Sequence, residues 1–272
     1  MIIKEFIPPI LLSLFHSSRL SLKKYKNYDE ALTNCQNHTY SNDDLVKVVI
    51  EKNIAFKNNL SQSKVLFDLG ALRTLIAVGL SNRETGINVI DFGGGGGYHH
   101  TISSKALGKN DGKLKWHVVE TENMAKEAQR ITSKNLKFFH NIADAVKDFE
   151  VIDLVFSSST LQYCPSPLLA LKALTELNAK YLFITRTPFV ESIDGIVTIQ
   201  TSNLSTNGPG PLPKGFIDRK IKYPITYASR FAIENILTEK YEIRFMTEEG
   251  GGSFGFGGEK ISMNGYFCVK KS

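Results

Sequence analysis

The densest chemistry in this sequence lies between Asp91 and His100, where an acid is followed by five consecutive glycines, Gly93 to Gly97, and then by Tyr98, His99 and His100. A glycine run costs backbone entropy and persists where the chain turns at positive φ or approaches another group closely. Ile87, Val89, Ile90 and Phe92 run directly into these glycines, which separates the stretch from a flexible linker with polar flanks. It reads as a strand that delivers a loop to a ligand, with Gly93, Gly94 and Gly95 nearest to it.

Two ligand classes use a glycine-rich turn after a first strand: dinucleotides and S-adenosylmethionine. A dinucleotide fingerprint requires a third glycine five positions after the first, and from any of Gly93 to Gly97 that position falls on Tyr98 or a later residue, none of them glycine. Asp91, just before the loop, would repel a pyrophosphate but not a sulfonium ligand that also carries an ammonium group. Glu120 ends the next apolar run, Trp116-His117-Val118-Val119, and can accept from both ribose hydroxyls, each such bond contributing roughly 1.5 to 3 kcal/mol. An acid here serves either class, so the glycine spacing and Asp91 decide for the methyl donor.

Other candidates stand at the ends of the later apolar runs. Asn141 and Ile142 follow Leu136 to Phe139, where an adenine ring would sit, although Ile142 is equally readable as helix packing. Ser157 and Ser158 would line the cofactor, and Gln162 and Tyr163 would face the transferred methyl or its acceptor. The bland reading of that polar run is a hydroxyl-rich turn that caps the next helix.

The elements that must position these residues alternate between short apolar runs and helical stretches, which predicts βα units and a parallel sheet. Strands are expected at 89–92, 115–119, 136–139, 152–156 and 181–185, with helices at 101–107, 122–132, 142–147 and 167–177. Right-handed crossovers then put helices on both faces and the ligand cleft at the strand carboxyl ends. Ahead of the sheet, a helix from Ser41 or Asn42 with Leu45, Val48, Val49 and Ile54 as its buried face, and a second over 64–80, form a helical extension and cap over residues 1–84. Residues 85–272 are expected to form the ligand-binding domain. Within it, 187–223 contains Gly208-Pro209-Gly210-Pro211 and is too long for a plain connector, so it reads as a substrate wall or lid. A helix at 227–237, a strand at 241–246, a glycine-rich hairpin link at 250–258 and a strand at 265–269 close the chain.

The first segment has two readings. Ile10, Leu11, Leu14 and Phe15 recur at helical spacing after Pro8-Pro9, followed by Arg19, Lys23, Lys24 and Lys26. The apolar run is about half the ~20 residues that a membrane span needs. Residues 6–26 are therefore expected either to pack on the protein body or a partner subunit, or to rest on an anionic membrane surface.

Composition excludes several function classes. At 272 residues and 42% hydrophobic, the chain can bury a sizeable core as one large domain with an appendage. Its net charge of +6 is spread along the chain, without the basic footprint of a nucleic-acid groove. Arg219-Lys220-Ile221-Lys222 is the densest basic patch and reads first as a solvated loop, second as a phosphate site. Cys35, Cys164 and Cys268 lie far apart, which suits a reducing, cytoplasmic compartment with neither a disulfide framework nor a zinc site. The histidines also lack metal-ligand spacing, so no metal is expected.

Asp91-x-Gly93-x-Gly95 with Glu120 resembles the class I S-adenosylmethionine-dependent methyltransferases. More narrowly, Phe6-Ile7-Pro8-Pro9, Asp91-Phe92-Gly93-Gly94, Trp116-His117-Val118-Val119-Glu120, Ser158-Ser159-Thr160-Leu161-Gln162-Tyr163, Arg186-Thr187-Pro188 and Tyr223-Pro224 resemble a little-characterised bacterial methyltransferase-like family associated with surface-polysaccharide genes. The resemblance implies an α/β, Rossmann-like, mostly parallel seven-stranded sheet closed by an antiparallel sixth and seventh strand. It implies S-adenosylmethionine as cofactor and in-line transfer of its methyl group to a small-molecule or sugar acceptor; the cysteine pattern and the first segment put the protein in the cytoplasm or peripherally at the inner membrane face. His99 or His100 would act as general base toward a hydroxyl, or else make structural hydrogen bonds at a helix start. Arg186 would hold a phosphate or carboxylate of the acceptor, or else pair with Glu191. The rivals are an NAD-dependent nucleotide-sugar oxidoreductase or epimerase and a non-catalytic cofactor-binding scaffold. Tyr266 and Lys270 spell a Tyr-xxx-Lys pair for the former, but in a terminal strand instead of a helix.

Overall fold

A computed structural model describes residues 23–35, 42–62, 69–81 and 86–272. In chain order the elements are α1 (Tyr28–Thr33), α2 (Asp43–Gln62), α3 (Leu69–Ser81), β1 (Ile87–Phe92), α4 (Tyr98–Leu107), β2 (Leu114–Val119), α5 (Glu122–Ala128), β3 (Leu136–Phe139), α6 (Ile142–Ala145), β4 (Leu154–Ser158), α7 (Pro167–Glu176) and β5 (Tyr181–Val190). They continue with β6 (Ile196–Asn203), β7 (Lys220–Ser229), α8 (Arg230–Lys240), β8 (Tyr241–Phe256) and β9 (Glu259–Lys270).

The parallel strands lie in the order β3-β2-β1-β4-β5, and β9 continues the sheet antiparallel to β5, with β8 antiparallel to β9 beyond it. Successive side chains of a strand face opposite ways, and here both faces are apolar. Val89, Trp116, Leu154, Phe156 and Phe183 face a core shared with α2 and α5, whereas Ile90, Val119, Val155, Leu182 and Ile184 face one closed by Leu171 and Leu174 of α7 and Ile233 and Leu237 of α8. This is the Rossmann-like, mostly parallel sheet with helices on both faces that the resemblance implies. Of its last two strands only β9 runs against the sheet, because two antiparallel steps bring β8 back into line with β5.

The main departure from the sequence reading lies in residues 187–223. They are not one irregular segment: β5 continues to Val190, and β6 pairs antiparallel with β7 from Ile196↔Tyr227 to Asn203↔Lys220. Pro224 lies within β7, opposite Ile199. It is accommodated because β6 pairs only one edge of β7 at that point, and β7 meets β5 only at Ala228 and Ser229. The strand runs to Ser229, whose Oγ accepts from Ala232 N at 3.5 Å, so α8 begins three residues later than expected. The glycine-rich link shrinks to a turn at Gly257 and Gly258, both at positive φ, with β8 running through to Phe256.

The helical extension is anchored to this hairpin. Asn42 Oδ1 accepts from Asp44 N at 3.1 Å at the head of α2, whose Leu45, Val48 and Val49 are buried in the same core as Leu204, Ile221 and Tyr223. Ile54 packs against that core from its edge. Lys52 is 2% exposed, and its Nζ donates to the carbonyls of Ser205 and Asn207, both at 2.8 Å. The helix expected over Ile10 to Phe15 lies outside the described residues. Residues 23–26 dock on the body: Tyr25 N donates to Val197 O at 2.9 Å, and Thr198 Oγ1 to Lys23 O at 2.8 Å. No helix among the described residues is long and apolar enough to cross a membrane.

Lys52→Met retains the apolar stem but leaves the buried Asn207 carbonyl and the half-buried Ser205 carbonyl without this donor. It is expected to lower unfolding stability by about 3 kcal/mol, measured by urea denaturation, since bonds to a charged donor contribute roughly 1.5 to 3 kcal/mol each.

Candidate functional site

A cleft of about 1250 Å³ opens at the carboxyl ends of β1, β2, β4 and β5, as expected for a doubly wound sheet. Its floor is the glycine loop and its far wall the β6–β7 hairpin, with Val49, Asn53 and Phe56 of α2 and Arg73 of α3 along one side.

The loop owes its composition mostly to the protein's own packing. A Cβ on Gly93 (φ +78°) would lie 2.1 Å from Thr160 Oγ1, one on Gly94 2.3 Å from Asp91 Oδ2, one on Gly96 2.7 Å from Asn53 Nδ2 and one on Gly97 2.9 Å from Leu136 Cδ2. Gly95 (φ +56°) differs, since its nearest neighbour would be Val49 Cγ1 at an ordinary 3.5 Å. The close approach expected of a ligand is therefore made by side chains of the chain itself at four of the five glycines, and Gly95 is the one that leaves room.

Asp91 lies beneath this loop, fully buried, and does not line the cleft. Its Oδ2 accepts from Trp116 Nε1 at 2.9 Å and from His99 Nδ1 at 3.0 Å, while Oδ1 has no partner among the described residues. Glu120 stands at the tip of β2, where Oε1 accepts from Gly95 N at 3.0 Å and Oε2 from Thr121 N at 2.9 Å. Burial raises its carboxyl above the usual carboxylate range; the charge of Asp91 adds to this and the two N–H bonds oppose it. Each oxygen keeps a lone pair for a further donor. Thr121, Met124 and His140 line the adjacent corner.

At the β4 and β5 tips, Ser159 (φ +58°) and Arg186 (φ +55°) both adopt the left-handed conformation that non-glycine residues rarely take. They are tied together: Ser159 N donates to Thr185 O at 3.0 Å, and Gln162 Nε2 donates to Ser159 Oγ at 3.0 Å and Arg186 O at 3.4 Å. Arg186 sits where the β5–β9 register shifts between Ile184 and Thr187. Behind it the buried Glu249 accepts from Arg186 N at 3.4 Å, from the Thr185 hydroxyl and from the Arg73 guanidinium. Tyr163 donates from its hydroxyl to Gln200 Oε1 at 3.0 Å, and burial raises that phenol, which keeps it neutral. Cys164 also lines the cleft, but burial pushes its thiol up to about 12, so it is no nucleophile.

Of the residues singled out in the sequence, Gly93, Gly94, Gly95, His99, Glu120, Ser158, Tyr163 and Arg186 line the cleft. Asp91, His100, Asn141, Ile142, Ser157 and Gln162 do not. His100 faces the Trp116 ring at 6.2 Å. Asn141 caps α6, its Oδ1 accepting from Asp144 N at 2.8 Å, and Ile142 packs into the core beneath α7 and α8. Ser157 is buried with its hydroxyl unpartnered, and Gln162 is 2% exposed, holding the strand tips from behind. Glu191, the proposed partner of Arg186, instead pairs with Arg230 at 2.8 Å, and the Arg186 side chain forms no ion pair among the described residues. Asn53, Phe56, Gln200, Ser202 and Glu249 carry no mark in the sequence. They lie far apart in sequence on helices and strands whose mutual placement no local pattern encodes.

No family model matches the chain, and no curated protein matches it in sequence. Solved structures that align with it include the CcbJ methyltransferase from Streptomyces caelestis, at 11% identity over 87% of this chain and 100% of that one, with a TM-score of 0.49. The sugar N-methyltransferase KedS8 from Streptoalloteichus sp ATCC 53650 aligns at 12% identity over 77% of this chain and 96% of that one, with a TM-score of 0.47. A SAM dependent methyltransferase from Aquifex aeolicus aligns at 16% identity over 79% and 98%, with a TM-score of 0.41. Likenesses this distant assign neither an activity nor a substrate.

Two glycine substitutions separate packing from ligand access. Gly93→Ala meets Thr160 at a positive φ and is expected to cost more than about 3 kcal/mol or to prevent folding. Gly95→Ala bears only the left-handed penalty of roughly 1 to 2 kcal/mol. Thermal melts of the two variants should rank them in that order, with Gly95→Ala folded but impaired in ligand binding.

Proposed function

We propose that this chain is an S-adenosylmethionine-dependent methyltransferase acting on a sugar or other small precursor of cell-surface polysaccharide. The observation that carries this reading is the pair of acids at the glycine loop, Asp91 buried directly beneath Gly94 and Glu120 bonded to Gly95 N. A pyrophosphate on this loop would lie in the field of two carboxylates, one of them beneath the backbone, whereas a nucleoside whose other end is cationic would be attracted. The strand order adds support: a dinucleotide fold of the 3-2-1-4-5-6 type has only parallel strands, and here the antiparallel β9 lies between β5 and β8.

S-adenosylmethionine, when bound, supplies an electrophilic methyl carbon. The residues present fit it, since Glu120 has a free lone pair on each oxygen for the ribose hydroxyls, and Val119, Met124, Thr121 and His140 bound the corner next to it. Across the cleft, Tyr163, Gln200 and Ser202 offer the hydroxyl and amide groups that sugar recognition needs, and the exposed Arg186 suits a phosphate or carboxylate on the acceptor. Holding donor and acceptor in line can supply on the order of 7 to 11 kcal/mol. The three cysteines are free thiols, which accords with a cytoplasmic protein.

Calorimetry tests the reading directly: S-adenosylmethionine should bind and NAD should not, and binding of NAD alone would overturn it. Glu120→Ala removes two charge-assisted acceptors and should weaken cofactor binding about 100-fold. Ribose hydroxyls require Glu120 ionised, and its raised pKa means that protonation begins above the usual carboxylate range. The dissociation constant should therefore rise as pH falls through that value, and Glu120→Gln should bind more weakly but lose this dependence. Transfer of labelled methyl from S-adenosylmethionine to a cell-envelope sugar fraction would establish the acceptor class.

A further inference from the structure

We infer that Asp91 is a positioning residue for His99, that His99 takes the proton from the acceptor hydroxyl, and that Asp91 does not touch the cofactor. This rests on the methyltransferase reading above. Asp91 is fully buried, and Gly94 covers it so closely that a Cβ there would stand 2.3 Å from Oδ2. A carboxylate so enclosed offers no edge to a ligand in the cleft. What it does hold is His99, whose Nδ1 donates to Oδ2 at 3.0 Å, beside the Trp116 Nε1 that donates to the same oxygen at 2.9 Å.

The bond defines the ring's tautomer. Oδ2 already accepts from Trp116, and a carboxylate only accepts, so Nδ1 of His99 carries the hydrogen and Nε2 of the neutral ring keeps its lone pair. Rings fix the plane, with Phe156 edge-on at 4.8 Å and Tyr98 at 5.6 Å. His99 lines the cleft, and no described group bonds Nε2. None of the other charged cleft residues, Arg73, Glu120, Arg186 and Lys220, forms a hydrogen bond or ion pair with it. His100, one position on, faces Trp116 and lies outside the cleft, so of the adjacent histidines only His99 is placed for chemistry.

A second observation separates this pair from ordinary packing. Both donors to Asp91 stand on Oδ2, and among the described residues no cation other than a protonated His99 pairs with the buried carboxylate. That charge is compensated at the moment His99 becomes an imidazolium. In the step, the acceptor's O–H proton passes to His99 Nε2, the oxygen's electron pair forms the bond to the methyl carbon, and the C–S bond breaks with its pair retained by sulfur. The imidazolium then releases the proton to solvent.

Asp91→Asn keeps an oxygen for Trp116 and His99 but removes the charge. In the cofactor-free protein, the ring nitrogen signals of His99 in NMR should report the Nδ1–H tautomer in the wild type and a mixture of tautomers in this variant. Its S-adenosylmethionine affinity should stay within about threefold while methyl transfer falls at least tenfold. His99→Gln, which leaves Asp91 in place, should bind cofactor equally well and lose about 10²- to 10⁴-fold in turnover. The same His99 tautomer in both proteins, or cofactor affinity lost in Asp91→Asn with the fold intact, overturns the inference, as does full turnover in His99→Gln. Failure of the wild type to bind S-adenosylmethionine would instead overturn the methyltransferase reading, while the His99 ring signals still test the pair.

Discussion

A buried carboxylate that holds two donors on one oxygen is the constraint on which the site's architecture depends. Asp91 is the fifth residue of β1, in parallel register with Val118 of β2 and Phe156 of β4, so its side chain faces the same layer as Trp116 and Phe156. An ionised carboxylate in that apolar layer would be strongly unfavourable alone. The Trp116 indole and the His99 imidazole offset the cost, and both come from elements that the loop must bring into range. Gly94 allows the backbone to pass over the carboxylate, and Gly97, at φ +78°, starts α4 so that His99 enters from above. The glycine run is thus as much a lid on a buried acid as a cradle for a ligand.

A second layer of constraint lies at the β4 and β5 tips. Two non-glycine residues in left-handed backbone cost roughly 1 to 3 kcal/mol each. Here the surroundings enforce both, through Gln162 spanning Ser159 and Arg186 and through Glu249 receiving the Arg186 amide together with Thr185 and Arg73. The bulge turns Arg186 out of the β5–β9 ladder and leaves it exposed at the cleft, while Phe189 and Val190 beyond it meet β7. That junction carries the β6–β7 hairpin, which turns a sheet edge into the wall of a cleft. Lys52 then locks α2 against the same hairpin, so the helical extension and the wall are one packed unit on that side.

Much of this was legible in the chain before folding. Periodicities of two and of 3.6 residues located the first five strands and the helices between them, because burial on both faces of a parallel sheet writes itself as short apolar runs. The glycine run and the strand-end acids Asp91 and Glu120 marked the cleft for the same local reason. Residues 187–223 escaped that reading because glycine, proline and a polar face mask a strand that is paired along one edge only. Glu249 escaped it because Thr-Glu-Glu-Gly gives no sign of which carboxylate is buried.

What the sequence determined by itself was therefore the sheet and the place of its glycine loop, with the acids that flank it. These follow from hydrophobic spacing and residue chemistry within a few positions of each other. Tertiary structure alone decided what each polar group does. Asp91 turned from the cleft to His99, Gln162 from the acceptor to the backbone behind it, and His99 parted from His100, because hydrogen-bond partners are chosen by distance in space. His99 and Asp91 stand eight residues apart, but Trp116 and Asp91 are twenty-five apart and Glu249 and Arg186 sixty-three, separations that only the packed sheet closes.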